Sequence, residues 1–170
     1  MFDEFKELLS IFNGLNVRYL IVGGYAVSFH SQPRLTKDID LLIQADPENG
    51  KAVYAALAKF GASLEGLAPD DFISTNSFFR MGRAPLSIDI LPDIRGVDFD
   101  DVWQRRVEAI IDAESGLKAL FISRDDLIKA KLAAGRPQDI ADVAALRKSA
   151  ELQRQKAVRK KSGSEESPEQ

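Results

Sequence analysis

The chain has 170 residues and contains no cysteine and a single histidine, His30. The absence of cysteine excludes disulfides and thiolate-bound metals, and it is compatible with a reducing compartment. One histidine disfavours a zinc site, because zinc in proteins is usually bound by several histidines or cysteines. A carboxylate site for a harder cation such as Mg²⁺ remains open.

Long apolar runs are also missing from the start of the chain. Residues 1–16, MFDEFKELLSIFNGLN, mix acidic with apolar side chains. They therefore predict neither a signal peptide nor a membrane-spanning helix. A cytoplasmic protein with no membrane association is expected.

Positive charge is scarce in most of the chain. Residues 1–146 contain sixteen basic and twenty-two acidic residues, whereas residues 147–161 contain seven basic residues and one acid. The acidic body disfavours a general nucleic-acid-binding surface. The basic stretch is typical of a solvated helix face, and the alternative interpretation is a surface for RNA or a protein partner.

The hydrophobic content of 45% and the charged content of 29% are ordinary for one globular domain. We predict a domain at residues 1–146, whose helical end begins at about residue 124, followed by a basic helical arm at 147–161. Residues 162–170 have almost no apolar content, so a disordered tail is predicted there.

Segments with strand and helix patterns are interspersed along the chain. Helices are predicted at 2–13, directly after Gly24, and at 48–60, 99–105, 124–134 and 138–160. Strands are predicted at 17–22, 38–43, 77–81, 86–91, 107–111 and 117–122, with a turn at 82–85. This mixture predicts an α/β (α+β) fold, a small mixed sheet with flanking helices and a helical C-terminal end.

Three acids stand in apolar strands. Asp38 and Asp40 are two residues apart in DIDLLI, so a strand directs both carboxylates to one face, about 7 Å apart. Asp89 has the same setting in LSIDIL. Neighbouring like charges are costly without a cation. If the two strands are adjacent, the three carboxylates form an oxygen-rich site suited to Mg²⁺.

Gly23 and Gly24 end the first predicted strand and open a helix. Glycines at such a point let backbone N–H groups approach a phosphate, and the helix N-terminus favours negative charge. A phosphate-binding turn beside a metal-binding acid pair indicates phosphoryl or nucleotidyl transfer.

The stretch IVGGYAVSFHSQPRLTKDIDLLI, residues 21–43, resembles the signature of the DNA polymerase beta-type nucleotidyltransferase superfamily. A glycine pair, a thirteen-residue spacer and an Asp-x-Asp flanked by apolar residues carry the resemblance. Residues 34–40 and 127–146 are similar to small bacterial members, including the nucleotidyltransferase toxins of abortive-infection (type IV toxin–antitoxin) systems.

The resemblance implies an enzyme that moves a nucleoside monophosphate from a nucleoside triphosphate to a hydroxyl of RNA, protein or a small molecule. Asp38 and Asp40 would bind both metals, Mg²⁺ or Mn²⁺, while Asp89 would bind one and activate the attacking hydroxyl. Gly23 and Gly24 would hold the triphosphate. A cognate antitoxin or toxin partner is implied as well.

Other residues allow two interpretations. Arg34 and Thr36 either contact the nucleotide or brace the loop before the second strand, and Lys131 matches the family-like pattern for a nucleotide contact. Asp139 and Asp142 are interpreted as braces or caps in the last helix. The competing hypothesis for the whole chain is a non-catalytic, antitoxin-like member of the same fold that binds a nucleotide or a partner.

Overall fold

The computed structural model describes residues 1–75, 77–82 and 84–162. The predicted tail beyond residue 162 and Arg83 of the predicted turn lie outside the described residues. The helices are α1 (Asp3–Gly14), α2 (Gly23–His30), α3 (Pro47–Phe60), α4 (Phe99–Gln104), α5 (Arg124–Ala134) and α6 (Pro137–Ser162), with a 3-10 helix at Pro69–Phe72. The strands are β1 (Tyr19–Val22), β2 (Asp38–Ile43), β3 (Phe79–Met81), β4 (Ser87–Leu91), β5 (Val107–Asp112) and β6 (Leu117–Phe121).

All six of these strands form one mixed sheet in the order β3-β4-β2-β1-β6-β5. β2 runs parallel to β4 and antiparallel to β1, and β1 runs parallel to β6. Two antiparallel hairpins, β3–β4 and β5–β6, complete the sheet edges. The predicted fold class is therefore confirmed. The two acid-bearing strands, β2 and β4, are neighbours, which is the condition for a shared carboxylate site.

The helices pack in two groups. α1 packs against α3, and the apolar side chains of α1 at helical spacing are fully buried: Phe5, Leu8, Leu9 and Phe12. α2, α5 and α6 pack together elsewhere on the sheet. In β2 the alternate residues Ile39 and Leu41 are buried in the core, which leaves the Asp38 and Asp40 side chains for the opposite face.

Strand β1 begins two residues later than the sequence pattern predicts. The Arg18 backbone N–H donates to Asn49 Oδ1 at 2.8 Å, and Asn49 Nδ2 donates back to the Arg18 carbonyl at 3.0 Å. Asn49 Nδ2 also donates to the Gln44 carbonyl at 2.9 Å, so this side chain from α3 stands between the Arg18 N–H and the Gln44 carbonyl, although the Gln44 N–H still donates to the Arg18 carbonyl at 3.2 Å.

The last helix, α6, is 26 residues long. Its first turns are anchored by buried residues, including Val143 and Leu146, whereas residues 151–160 are all exposed. No helix within the described parts of the chain combines the length and apolarity needed to cross a membrane.

Candidate active site

The acids of β2 and β4 are brought together by the strand register. Asp38 lies opposite Ser87, and Asp40 lies opposite Asp89. Neighbouring strands are about 4.8 Å apart and equivalent positions share a face, so the acids line one side of the sheet. Asp38 is exposed, and its Oδ1 accepts a hydrogen bond from Ser87 Oγ at 2.8 Å.

Asp40 is partly buried and lacks a hydrogen-bond or ion-pair partner among the described residues. Burial raises the pKa of its carboxyl above the usual range, and the nearby Asp89 raises it further. Lys131 and Arg80 oppose this shift by their positive charge. The site therefore favours a cation next to Asp40.

Asp89 is only 5% exposed and is held by an arginine from the neighbouring edge strand. Arg80 Nε donates to Asp89 Oδ1 at 2.6 Å, and Arg80 Nη2 donates to Asp89 Oδ2 at 2.7 Å. This forked pair has the geometry that makes arginine–carboxylate interactions strong. It raises the pKa of Arg80, mainly through the hydrogen bonds to Asp89.

The acids can be compared with the donor set that a divalent cation needs. Among residues 1–75, 77–82 and 84–162, no three acidic, histidine or cysteine side chains are already grouped as a metal-binding cluster. The free oxygens of Asp38 and Asp40 fit a hard cation such as Mg²⁺. Asp89 has both oxygens bound to Arg80, so it joins such a site only if Arg80 leaves.

Gly23 lies directly against Asp40 at the junction of β1 and α2. Its φ of +59° is in the left-handed region, which favours glycine. A Cβ atom here would overlap the Asp40 carboxylate and lie 2.7 Å from Asp40 Cγ. The first backbone N–H groups of α2, which have no partner within the helix, are thus next to the acid pair.

Gly24, the second residue of α2, packs on the loop that leads into β2. A Cβ atom here would lie 2.8 Å from Thr36 Cγ2 and 3.6 Å from Arg34 Nη2. The two glycines, the loop residues Arg34 and Thr36, and the acids of β2 are therefore neighbours.

Arg34 and Lys131 direct their donors to carboxylates of α6. Arg34 Nη1 donates to Asp142 Oδ1 at 2.7 Å, while Lys131 Nζ donates to Asp142 Oδ2 at 2.8 Å and to Asp139 Oδ1 at 3.0 Å. Asp139 also accepts hydrogen bonds from Arg136, which lower the pKa of its carboxyl to about 2. These ion pairs join the loop before β2 to α5 and α6.

A cavity of about 230 Å³ opens beside Gly23 and Asp40. Apolar side chains of the segment after β4 and of α5 form part of its wall, including Ile94 and Leu127. Lys131 also lines the cavity, as do the exposed cations Arg95 and Arg136. The cleft is also lined by Asp139, which pairs with Lys131 and Arg136, so Arg95 is the lining cation without an ion pair among the described residues.

The sequence interpretation did not include Arg80 or Arg95 among the site residues. Alternation in the strand Phe79–Met81 places Arg80 on the opposite side from its two apolar neighbours, which was the available signal. His30 lies at the end of α2, where its Nε2 is 2.7 Å from the Ile122 carbonyl. Burial lowers its pKa, and it is not among the residues that line the cleft.

A strand, a glycine turn into a helix, and acids on two adjacent strands are the features that the resemblance to nucleotidyltransferases implies. In agreement, residues 1–160 match the sequence model of a family described as "Nucleotidyltransferase of unknown function (DUF6036)". The chain belongs to this nucleotidyltransferase family. No curated protein matches the chain in sequence.

Solved structures share the fold. One is the lincosamide antibiotic adenylyltransferase LnuA in its lincomycin-bound form, with a TM-score of 0.56 and 19% identity over 86% of this chain and 96% of that one. Another is an antigenic nucleotidyltransferase-like protein from Paracoccidioides brasiliensis, with a TM-score of 0.50 and 19% identity over 83% of this chain and 72% of that one. At this identity the likeness establishes the fold.

Proposed function

We propose that the protein transfers a nucleoside monophosphate from a nucleoside triphosphate to a hydroxyl group and releases pyrophosphate. The observation that carries the proposal is the packing of Gly23 against Asp40. Backbone donors suited to a phosphate are thereby next to a carboxylate that has no hydrogen-bond or ion-pair partner among the described residues.

Asp38 and Asp40 are the proposed ligands for Mg²⁺ or Mn²⁺, which when bound would orient the triphosphate and neutralise its developing charge. The acceptor oxygen attacks the α-phosphorus while the bond to pyrophosphate breaks. Asp89 is the proposed acceptor of the hydroxyl proton, the role that the family resemblance implies. For this role its carboxylate has to be free of Arg80.

The triphosphate is proposed to lie across the N-terminus of α2, with Gly23 and Gly24 donating from their backbone. Arg95 lines the adjoining cavity and is exposed, which supports a contact from its guanidinium to the phosphates. Arg136 also lines the cavity and is exposed, but its guanidinium donates to Asp139 and has to leave that carboxylate before it can contact a phosphate. Arg34 and Lys131 are proposed to act on the nucleotide mainly by fixing the site's shape, because α6 carboxylates already accept their hydrogen bonds.

The experiment is a donor and acceptor screen. Purified protein would be incubated with Mg²⁺ or Mn²⁺, each α-³²P-labelled nucleoside triphosphate, and total RNA, cell protein or small hydroxylated compounds, lincomycin among them. We expect label to appear in one acceptor class, with one pyrophosphate released per transfer. Nucleotide binding with no pyrophosphate release from any acceptor would support the non-catalytic, antitoxin-like alternative.

A further inference from the structure

The pairing of Arg80 with Asp89 puts a cation inside the acid row of the site. Arg80, Asp89 and Asp40 are register partners across β3, β4 and β2. One positive and two negative side chains thus lie side by side on adjacent strands. The guanidinium supplies, in the metal-free protein, part of the charge compensation that a divalent cation would supply.

Both Asp89 oxygens are committed to this pair, and the Asp89 side chain is only 7% exposed. A metal ion binding there would have to displace the guanidinium, because two cations at one buried carboxylate repel each other. Arg80 itself is free to move away, since its side chain is 61% exposed on the edge strand. Its guanidinium already lies 5.5 Å from the ring of the exposed Phe78.

A second arginine–aspartate fork, Arg105 with Asp126, has a structural role and serves as a comparison. Arg105 binds both oxygens of Asp126 at 2.9 and 2.8 Å, and its side chain is 52% exposed. Asp126 is also hydrogen-bonded by Ser123 at the start of α5. Asp89, by contrast, has no side-chain hydrogen bond besides those from Arg80 among the described residues, and it lies beside Asp40 of β2 and not at the start of a helix.

We propose that Arg80 is a positioning residue that competes with the metal for Asp89, holding this carboxylate out of metal coordination until a divalent cation displaces it. The inference rests on the proposed function for the identity of the metal site. In this arrangement the competition from Arg80 lowers the affinity of the site for a divalent cation, and Arg80 moves away from Asp89 when the cation binds.

Mn²⁺ binding measured by calorimetry or electron paramagnetic resonance, without nucleotide or acceptor, tests the proposal. Arg80→Gln should bind Mn²⁺ about ten- to a hundredfold more tightly than wild type, because hydrogen bonds to a charged group need no longer be broken. Arg80→Lys, which keeps the charge without the fork, should fall between them. The matched control Arg105→Gln removes an equivalent fork elsewhere and should leave Mn²⁺ affinity unchanged.

A double-mutant cycle separates competition at Asp89 from a general change in the electrostatic field. In an Asp89→Asn background, Arg80→Gln should no longer tighten Mn²⁺ binding. Thermal melting identifies any variant that does not fold. If Arg80→Gln is unfolded, the Mn²⁺ affinity of Arg80→Lys is compared with that of wild type instead. Equal Mn²⁺ affinity of wild type and Arg80→Gln, or tightening that persists without the Asp89 carboxylate, overturns the proposal. The Mn²⁺-binding assay contains no nucleotide or acceptor, so its result can be interpreted even if the donor and acceptor screen finds no transfer activity.

Discussion

Gly23→Ala perturbs the contact between the Gly23-Gly24 turn, the proposed phosphate-binding element, and Asp40. The added methyl group would lie 2.7 Å from Asp40 Cγ, too close for the wild-type arrangement to persist. The φ of +59° costs an alanine about 1–2 kcal/mol. Forcing Asp40 off its preferred rotamer adds about 0.5–1.5 kcal/mol. The expected loss of unfolding free energy is thus roughly 1.5–3.5 kcal/mol.

Gly116→Ala is the matched control. Its φ is +69°, and an added methyl group would meet no atom within 4 Å. Urea unfolding should show only the backbone cost for this variant, with nucleotide affinity unchanged. Gly23→Ala should be less stable than Gly116→Ala. It should also bind the metal–nucleotide complex at least about tenfold more weakly in a fluorescence titration, a loss of about 1.4 kcal/mol, because the displaced Asp40 no longer holds the metal in place. Equal stability losses, together with wild-type nucleotide affinity for Gly23→Ala, would refute the reasoning.

Three other perturbations test separate parts of the structure. Asp40→Asn should stabilise the metal-free protein at neutral pH, because folding raises the pKa of Asp40 and wild type therefore loses stability as the pH rises through the folded-state pKa. In urea unfolding experiments the stability difference between Asp40→Asn and wild type should vanish below about pH 4, where Asp40 is protonated in both the folded and the unfolded state. Lys131→Met should cost about 1.5–3 kcal/mol in the same assay, since it removes a charged hydrogen-bond donor from two buried carboxylates of α6, which keep Arg34 and Arg136 as partners. Replacing Arg154 and Lys156 together with Gln should change unfolding free energy by less than about 1 kcal/mol, because both side chains are exposed.

The parts of the fold that sequence predicts well are those determined by local patterns. β2 has the predicted bounds because acidic and apolar residues alternate from Asp38 to Leu41 and the apolar run continues to Ile43. α5 also has its predicted bounds. Ser123 caps it at one end, accepting a hydrogen bond from the Asp126 backbone, and Gly135 in the left-handed conformation ends it.

The rest depends on contacts between distant segments. The Arg34–Asp142 ion pair joins residues 108 positions apart, so no local pattern reveals it. The Arg80–Asp89 fork depends on the register of the β3–β4 hairpin, and a shift of one residue would place Arg80 on the other face. The acid pair was therefore identifiable from sequence, whereas the cation that holds the third acid was not.

The most direct test of the central claim is pyrophosphate release with the best donor and acceptor from the screen, measured for wild type, Asp38→Asn and Asp40→Asn. Asp70→Asn, which changes an exposed acid of the 3-10 helix, serves as the control. We predict that Asp38→Asn and Asp40→Asn each lose at least about a hundredfold in rate while remaining folded, since electrostatic stabilisation of the transition state is lost. Asp70→Asn should match wild type. Wild-type rates in Asp38→Asn and Asp40→Asn would contradict the assignment of this acid pair to catalysis.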